Sequence, residues 1–266
     1  FNIFFSNYSY TQCTPSPSSD CLNTVKLLCG LGELNGYTCQ ITADQHPDYY
    51  PCGTTALCPG SGPDDGPQNT EWWSFVTKGG NVSITINYSS CNLGQGLQMG
   101  IWADCFCGQE ITCHSICTGA PGSYTILANL EACKYYYLFV DGCGGDICNY
   151  TLSITGGDVP ELVPITTIIG ETKFCEGNCN MYEEVERGSS SCLNFFKWTL
   201  DGLILEDFER VVRLPQDLSP GTYTLCVSKF VGDNPFGQIC SETAPFCKTI
   251  TIEPKKSYVG NKAYIC

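Results

Sequence analysis

The stretch EWWSFVTKGGNVSITINYSS, residues 71–90, decides the fold of this chain. In its second half, apolar residues at positions 82, 84, 86 and 88 alternate with small polar ones, the pattern of a strand with one buried and one solvated face. Its first half, 72–76, is apolar on both faces and predicts a strand packed from two sides. The short connection Lys78-Gly79-Gly80 predicts a hairpin between them. We therefore expect an antiparallel β-sandwich.

Composition agrees with an all-β protein of two domains. The chain has 266 residues, of which 42% are hydrophobic and 15% charged, with 28 glycines and 15 prolines, a profile of strands and turns. Acidic residues outnumber basic ones by 27 to 13, so the formal charge is −14. A polyanion would be repelled, and we exclude nucleic acid as a partner.

The 21 cysteines are far more than a cytosolic protein keeps as free thiols. They indicate a secreted, disulfide-rich, extracellular protein. No apolar run approaches the length of about 18 residues that a membrane-spanning helix needs, and the longest candidate is 135–140. We expect no membrane span.

Hydrophobic periodicity divides the chain at a turn-rich segment. The first domain, residues 1–157, has disulfide-tied loops at 13–69 with a short apolar run at 25–28, and then predicted strands at 96–102, 124–130, 135–140 and 148–154. Glycine and proline residues between 156 and 164 predict a linker at 158–165.

The second domain, residues 166–254, begins beside a predicted strand at 165–169 and has others at 192–200, 203–214, 221–227 and 248–252. Phe196, Trp198 and Leu200 share one strand face. Spacing and size favour an immunoglobulin-like sandwich. The tail, 255–266, has at most a short strand at 263–265.

Cysteine parity supports this division, because fourteen cysteines precede the linker, six follow it, and Cys266 is left over. Cys226 and Cys247 both point away from the apolar side of their strands, so they could pair across an outer surface if the strands are neighbours. Cys143 and Cys148 would close a turn, and further candidates are Cys175 and Cys179. The C-x2-C spacing of zinc modules is missing, so we expect no zinc site.

The N-terminal segment Phe1-Asn2-Ile3-Phe4-Phe5 is apolar on both faces of a strand and would promote aggregation if exposed. Its cover is either its own domain or the sheet of a neighbouring molecule. Cys266 either has a partner further along a longer chain, forms an intermolecular bond or is a reactive thiol, or else the division of the other cysteines between the two domains is wrong. The candidate residues for assembly are therefore Phe1, Ile3, Phe4, Phe5 and Cys266.

Catalysis is not expected. The chain has two histidines, His46 and His114, and lacks the G-x-S-x-G and H-E-x-x-H motifs. A glycosidase needs only a pair of carboxylates, but the candidates lie mostly in turns, where aspartate serves turn geometry: Asp64, Asp65, Glu110, Asp141 and Asp146. The segment Asp141–Asp146 is either a plain turn, which we favour, or a structural calcium loop. We expect no other cofactor.

Four Asn-X-Ser/Thr sequons are candidates for N-glycosylation: Asn7, Asn81, Asn87 and Asn149. The last three fall on the polar faces of predicted strands, where a glycan would project into solvent. A glycoprotein is therefore expected if the source has the machinery.

The aromatic residues Trp72, Trp73, Trp102 and Tyr135-Tyr136-Tyr137 could stack on sugar rings. Packing in the core is the favoured interpretation, because large aromatic residues are usually buried.

Several motifs resemble a known family. NTEWWSF at 69–75, GLQMGIW at 96–102 and YYYLFVDGCGGDICNYTLSI at 135–154 resemble a cysteine-rich sandwich of secreted cell-surface proteins of Bacteroidota, which is similar to the pre-peptidase C-terminal jelly roll. FFKWTLDG at 195–202, PGTYTLCV at 220–227 and CKTITI at 247–252 are similar to the PKD-like or immunoglobulin-like modules that accompany it. The resemblance implies a jelly-roll-like and then an Ig-like domain, an adhesive or structural role, type IX export, and no catalytic residues.

We therefore expect a non-enzymatic extracellular structural or adhesive protein of the cell surface. It would assemble head to tail into a filament by strand addition, by an intermolecular disulfide or by both. The alternatives are a carbohydrate-binding module, whose partner is an extracellular glycan, and an accessory region of a secreted peptidase.

Overall fold

A computed structural model of the chain describes residues 13–19, 21, 27–41, 57–58, 66–105, 109–114, 116–117, 119–178, 180–184, 195–205, 208–232 and 238–255. Two compact units meet in sequence between Val159 and Pro160, inside the predicted linker. Helix in the described residues is confined to short 3-10 turns, and none is long and apolar enough to cross a membrane. The predicted all-β, disulfide-rich fold is confirmed.

The described part of the first unit forms two sheets. Its strands are β1 (Leu27–Leu28), β2 (Thr38–Gln40), β3 (Glu71–Val76), β4 (Gly80–Ser89), β5 (Leu97–Asp104), β6 (Gln109–His114), β7 (Gly122–Leu130), β8 (Tyr135–Gly142) and β9 (Asn149–Thr155). Sheet A has the order β1-β3-β8-β5-β6, and sheet B has the order β2-β9-β4-β7.

The pairing is that of a jelly roll. β2 pairs with β9, β3 with β8, β4 with β7 and β5 with β6, all antiparallel, and the four pairs alternate between the two sheets. β1 adds to the edge of sheet A parallel to β3, so the sheets are not wholly antiparallel. No strand is predicted from the sequence at Gln109–His114, the residues of β6.

The predicted hairpin across Lys78-Gly79-Gly80 is wrong. β3 belongs to sheet A and β4 to sheet B, so this connection crosses from one sheet to the other. Gly79 has a φ of 84°, and a Cβ there would lie 2.6 Å from the backbone nitrogen of Ala132. A glycine in this left-handed conformation lets the chain turn between the sheets in close contact with the β7–β8 connection.

Sheet A, apart from its edge strand β6, is largely buried on both faces, as the apolar run 72–76 predicts. On one side Trp73 and Phe75 face the alternating apolar residues of sheet B. On the other side Trp72, Trp102 and Phe139 pack beneath chain segments that include Cys21, Leu57 and Cys58. Disulfides join these segments to sheet A, since Cys21 bonds Cys105 and Cys58 bonds Cys113.

The described part of the second unit also has two sheets. Its strands are β10 (Ile168–Ile169), β11 (Lys173–Cys175), β12 (Met181–Glu184), β13 (Phe195–Leu200), β14 (Leu203–Ile204), β15 (Val211–Arg213), β16 (Gly221–Gly232), β17 (Ile239–Glu242) and β18 (Phe246–Glu253). One sheet has the order β10-β12-β15; the other is β11-β18-β16-β13-β14, with β17 also on β16. These orders match the A-B-E and G-F-C sheets of an immunoglobulin-like sandwich.

Two expectations for this unit are corrected. The single strand predicted at 203–214 is two strands, β14 and β15, which lie in different sheets. β11 pairs with β18 in parallel, so this unit too is not wholly antiparallel. The shared face of Phe196, Trp198 and Leu200 is confirmed, because all three are buried in the core.

A tyrosine near the start of β16 fastens the turn that precedes it. The Tyr223 hydroxyl donates to the Ser219 carbonyl at 2.7 Å, the arrangement called a tyrosine corner in immunoglobulin-like domains. Trp198 is fully buried on β13 and donates its indole N–H to the Glu209 carbonyl. The motif PGTYTLCV contains this tyrosine, and its spacing from the turn was the available sequence signal.

Changing Tyr223 to Phe removes that hydrogen bond and keeps the ring. We expect the second unit to lose about 1 kcal/mol of stability, measured as faster hydrogen exchange of the β13 and β16 amides relative to the first unit. Thr222→Ala, on the exposed face of the same strand, is the control. Equal protection in Tyr223→Phe and the parent chain would contradict the corner's contribution.

Candidate functional site

The outer face of sheet B carries no charged residue on any of its four strands. In a chain with a formal charge of −14 this is a marked local departure. The outward side chains are hydroxyls and amides with one leucine: Thr38, Gln40, Asn81, Ser83, Thr85, Asn87, Ser89, Ser123, Thr125, Leu127, Asn129, Asn149, Thr151, Ser153 and Thr155. We call this surface the uncharged face.

Strand alternation builds the face, and cross-strand hydrogen bonds order it. Thr85 of β4 lies opposite Thr125 of β7, with their hydroxyl oxygens 2.7 Å apart. Thr38 of β2 lies opposite Thr151 of β9 at 3.0 Å. Neighbouring strands lie about 4.8 Å apart, so the face presents rows of donors and acceptors at regular spacing. Such a surface can bind a neutral polar partner but has no group for chemistry.

A shallow cavity of about 540 Å³ lies on this face where β4, β7 and β9 run side by side. Asn81, Ser83, Asn129 and Thr155 contribute polar groups to it. Leu127 contributes an apolar wall and is 69% exposed. Sequence reasoning missed this cavity; the available signal was a leucine on the polar side of β7.

Three of the four sequons lie on the uncharged face. Asn81, Asn87 and Asn149 are all exposed there. Asn87 lies opposite Thr151 and Asn149 opposite Ser89, so these two asparagines are diagonal neighbours on β4 and β9. Asn7 lies outside the described residues. N-glycosylation at these positions stays a prediction.

The aromatic residues do not form an exposed stacking platform. Trp72, Trp73 and Trp102 are each at most 3% exposed. Trp72 and Trp102 have ring centroids 5.1 Å apart in the cluster under the disulfide-tied segments. Tyr136 is buried, and Tyr135 and Tyr137 are half-buried. These residues serve core packing, the interpretation that the sequence favoured.

The two carboxylates of the 141–146 segment are held by hydrogen-bond donors. Asp141 accepts from the Gln68 and Asn69 amides and from the side chains of Thr70 and Gln98. Burial raises the pKa of Asp141 to about 6, while these hydrogen bonds lower it.

Asp146 accepts from the amides of Leu93, Gln95 and Gly96. Burial raises its pKa, but the donated hydrogen bonds together hold it below the usual value. Oxygens surrounded by N–H groups are not presented to a cation, so the structure favours a turn over a calcium loop at this segment.

The expected closure of this turn by Cys143 and Cys148 is wrong. Cys143 bonds Cys117, and Cys148 bonds Cys91. The Asn69 side chain closes the turn instead, since it accepts from the Gly142 amide and donates to the Asp146 carbonyl. The ligand atoms of Cys91, Asp146 and Cys148 lie close enough together to bind a metal ion. The sulfurs of Cys91 and Cys148, however, are bonded to each other in a disulfide.

Of the other cysteine candidates, one predicted pair is confirmed. Cys226 and Cys247 pair across neighbouring strands, as strand parity predicts. Cys175 is disulfide-bonded, as are Cys29, Cys133 and Cys240, and a further bridge joins Cys13 to Cys39. Cys179 lies outside the described residues, as do the assembly candidates Phe1, Ile3, Phe4, Phe5 and Cys266.

The candidates for catalysis that the structure describes differ in their surroundings and exposure. His114 stacks on Tyr124 with ring centroids 3.7 Å apart, and burial lowers its pKa. Glu110 is exposed on β6, whereas Asp141 and Asp146 are buried. His46, Asp64 and Asp65 lie outside the described residues. That the chain is not an enzyme remains an expectation.

A buried carboxyl in the sheet core was missed by sequence reasoning. Glu71 of β3 is 6% exposed and accepts a hydrogen bond from the Tyr150 hydroxyl of β9. Burial raises the pKa of Glu71 to about 7, although the Tyr150 hydrogen bond lowers it. Burial, and secondarily the charge of Glu71, raises the pKa of Tyr37 and Tyr150. The signal was a glutamate at the start of an otherwise apolar strand.

Comparison with known proteins gives only distant structural likeness. No protein-family model matches the chain, and no curated protein is similar to it in sequence. The adhesin domain of Epf from Streptococcus pyogenes aligns with a TM-score of 0.29 and 12% identity, over 71% of this chain and 73% of that one.

The M60 catalytic domain with the CBM51-1 and CBM51-2 domains of Clostridium perfringens ZmpB aligns with a TM-score of 0.27 and 10% identity. That alignment covers 70% of this chain and 18% of the other. Both TM-scores lie below 0.5, so nothing about this chain's function is inferred from either likeness.

Glu71 makes stability pH-dependent. The folded-state pKa of Glu71, about 7, exceeds the ordinary value of 4.5, so the folded state holds this proton more tightly than the unfolded state does. The stability that protonated Glu71 gives to the fold is therefore lost as pH rises from 4.5 to 7. In Glu71→Gln this loss is absent. We expect the variant to gain about 2 kcal/mol over the parent between pH 4.5 and 7.5, measured by urea unfolding.

Glu110→Gln, which removes an exposed carboxyl on β6, is the control for the loss of one negative charge outside the core. Groups that do not interact with Glu71 contribute equally in parent and variant, so their contributions cancel in the comparison. A difference between Glu71→Gln and the parent that does not change with pH would contradict the assignment.

Proposed function

We propose that the chain is a non-enzymatic extracellular protein with an adhesive or structural role at a cell surface, and that copies of it associate head to tail. The kinship with Bacteroidota surface proteins, and with their pre-peptidase C-terminal-like and PKD-like modules, belongs to this proposal. The uncharged face of sheet B is the observation that carries it.

Charge is the physical reason. With an excess of 14 negative charges, two copies repel in most orientations. The uncharged face and its β7 margin can come together without pairing like charges, and their hydroxyls and amides can donate and accept across a contact. Disulfides that tie the segments over sheet A suit a protein that works outside the cell.

The geometry of the proposed association is asymmetric. The apolar N-terminal segment, residues 1–5, would leave one copy and pair with a sheet of the next. A contact between two different surfaces does not close on itself and produces an open fibre. Cys266 would add a covalent link between neighbouring copies.

Negative-stain electron microscopy of the oxidised protein tests the proposal. We expect regular fibres, and deletion of residues 1–10 should leave a folded monomer and no fibres. If Cys266 links the copies, Cys266→Ser should shorten the fibres or make them sensitive to dilution. Separate particles in all oxidised samples of the full chain would contradict self-association.

The cavity on the uncharged face supports a second candidate, binding of an extracellular glycan. Asn81, Asn129 and Thr155 offer amide and hydroxyl groups to sugar hydroxyls, and Leu127 offers an apolar surface to a sugar ring. In this candidate the ligand would lie on sheet B and not on Trp72 or Trp102, which are buried.

A glycan array tests the second candidate. If the parent binds a glycan, Asn129→Ala combined with Thr155→Ala should weaken it at least about tenfold, since each lost hydrogen bond costs about 1 kcal/mol. Ser153→Ala is the matched control, because this residue lies on the same face and outside the cavity. No binding by the parent chain, or full binding by the double variant, would remove this candidate.

A further inference from the structure

β7 is a long sheet edge without the usual protection against pairing. Its nine residues, Gly122–Leu130, pair with β4 alone among the described strands, in unbroken register from Gly122 opposite Tyr88 to Leu130 opposite Gly80. It contains no charged residue, no proline and no bulge. Natural sheet edges normally carry at least one of these devices, because an open edge recruits further strands.

The other sheet edges that the structure describes are shorter or protected. β1, β2, β10, β11, β14 and β15 have two or three residues each. β6 has six, but its register with β5 shifts twice, it carries Glu110, and its Cys113 is bonded to Cys58. β7 therefore stands apart as an acceptor for an added strand.

The side chains of β7 indicate which kind of strand would fit. Its inward residues are Tyr124, Ile126, Ala128 and Leu130, and both Tyr124 and Ala128 are only half-buried. Its outward residues are polar except Leu127, which is 69% exposed. A matching strand is neutral, apolar on one face, and polar with one apolar side chain on the other.

We propose that β7 accepts residues 1–10 of a second copy of this chain as an added strand of sheet B. This rests on the proposed self-association and names the acceptor. FNIFFSNYSY contains no charge, no proline and no glycine. Phe1, Ile3 and Phe5 share one strand face, for the inner side of β7, and Phe4 lies on the other face between Asn2 and Ser6, for the outer side with Leu127.

The same copy cannot supply this full-length strand to its own β7. The disulfide between Cys13 and Cys39 holds their Cα atoms 5.4 Å apart, and Cys39 lies on β2, at the opposite edge of sheet B. A strand added beyond β7 lies four strand spacings, about 19 Å, from β2. The three residue steps from position 10 to Cys13 span about 10 Å. The strand therefore comes from a neighbour.

The test uses two full-chain variants and a matched control. Leu127→Lys protects the β7 edge with a charge at an exposed position, so folding should be retained. Ser153→Lys places the same charge on β9, on the same face but away from the edge. We expect Leu127→Lys to reduce the fibre yield at least about tenfold and Ser153→Lys to reduce it far less. Circular dichroism checks that both are folded.

A mixing experiment then identifies donor and acceptor. The chain lacking residues 1–10 retains β7, and Leu127→Lys retains the donor strand, so neither should polymerise alone. Mixed together they should form a one-to-one dimer slightly lighter than twice the 29.0 kDa of the full chain, seen by size exclusion with light scattering.

Each outcome has one meaning. If the deletion abolishes fibres while Leu127→Lys forms them like the parent, or if the mixture stays monomeric, β7 is not the acceptor and the proposed self-association stands. Equal loss of fibres in Leu127→Lys and Ser153→Lys also overturns β7 as a specific edge. Fibres from the deletion chain, or none from the parent, overturn the strand donor and with it this inference.

Discussion

Burial of sheet A on both faces is the constraint on which the first unit depends. One face packs against sheet B in the usual manner of a sandwich. The other packs beneath Cys21, Leu57 and Cys58, which lie outside the described strands. The disulfides Cys21–Cys105 and Cys58–Cys113 keep this cover over Trp72 and Trp102. Closing long loops in this way removes conformational freedom from the unfolded chain.

This arrangement determines which sheet surface is open. Because sheet A is covered apart from β6, the outer face of sheet B is the sheet face left open to solvent in the described part of the first unit. Its residues are small, polar and neutral, while carboxyls such as Glu71, Asp141 and Asp146 lie inside, each held by hydrogen bonds. This face therefore presents no charged side chain to a second acidic copy.

The second unit is held together mainly by the apolar core between its two sheets. Its two sheets form a core around the fully buried Trp198. The Cys226–Cys247 bridge lies on the outer side of neighbouring strands and does not join the sheets. The tyrosine corner at Tyr223 secures a turn with a single hydrogen bond. Hydrophobic burial thus carries this core, and the bridge adds a local restraint between β16 and β18.

Much of this could be read from the sequence, because it depends on local pattern. Alternation of apolar and polar residues determined β4 and β9, the double-sided run 72–76 determined a strand covered from both sides, and parity determined that Cys226 faces outward with Cys247.

Which strands become neighbours was decided only by the tertiary structure. β3 and β4 follow each other through two glycines yet lie in different sheets, and Cys143 bonds Cys117 and not the nearby Cys148. Strand partners and disulfide pairs join residues far apart in the sequence. They are determined by the apolar surface that both sheets bury together, which cannot be read from any short stretch of sequence. The uncharged face and the open β7 edge follow from the same pairing of strands.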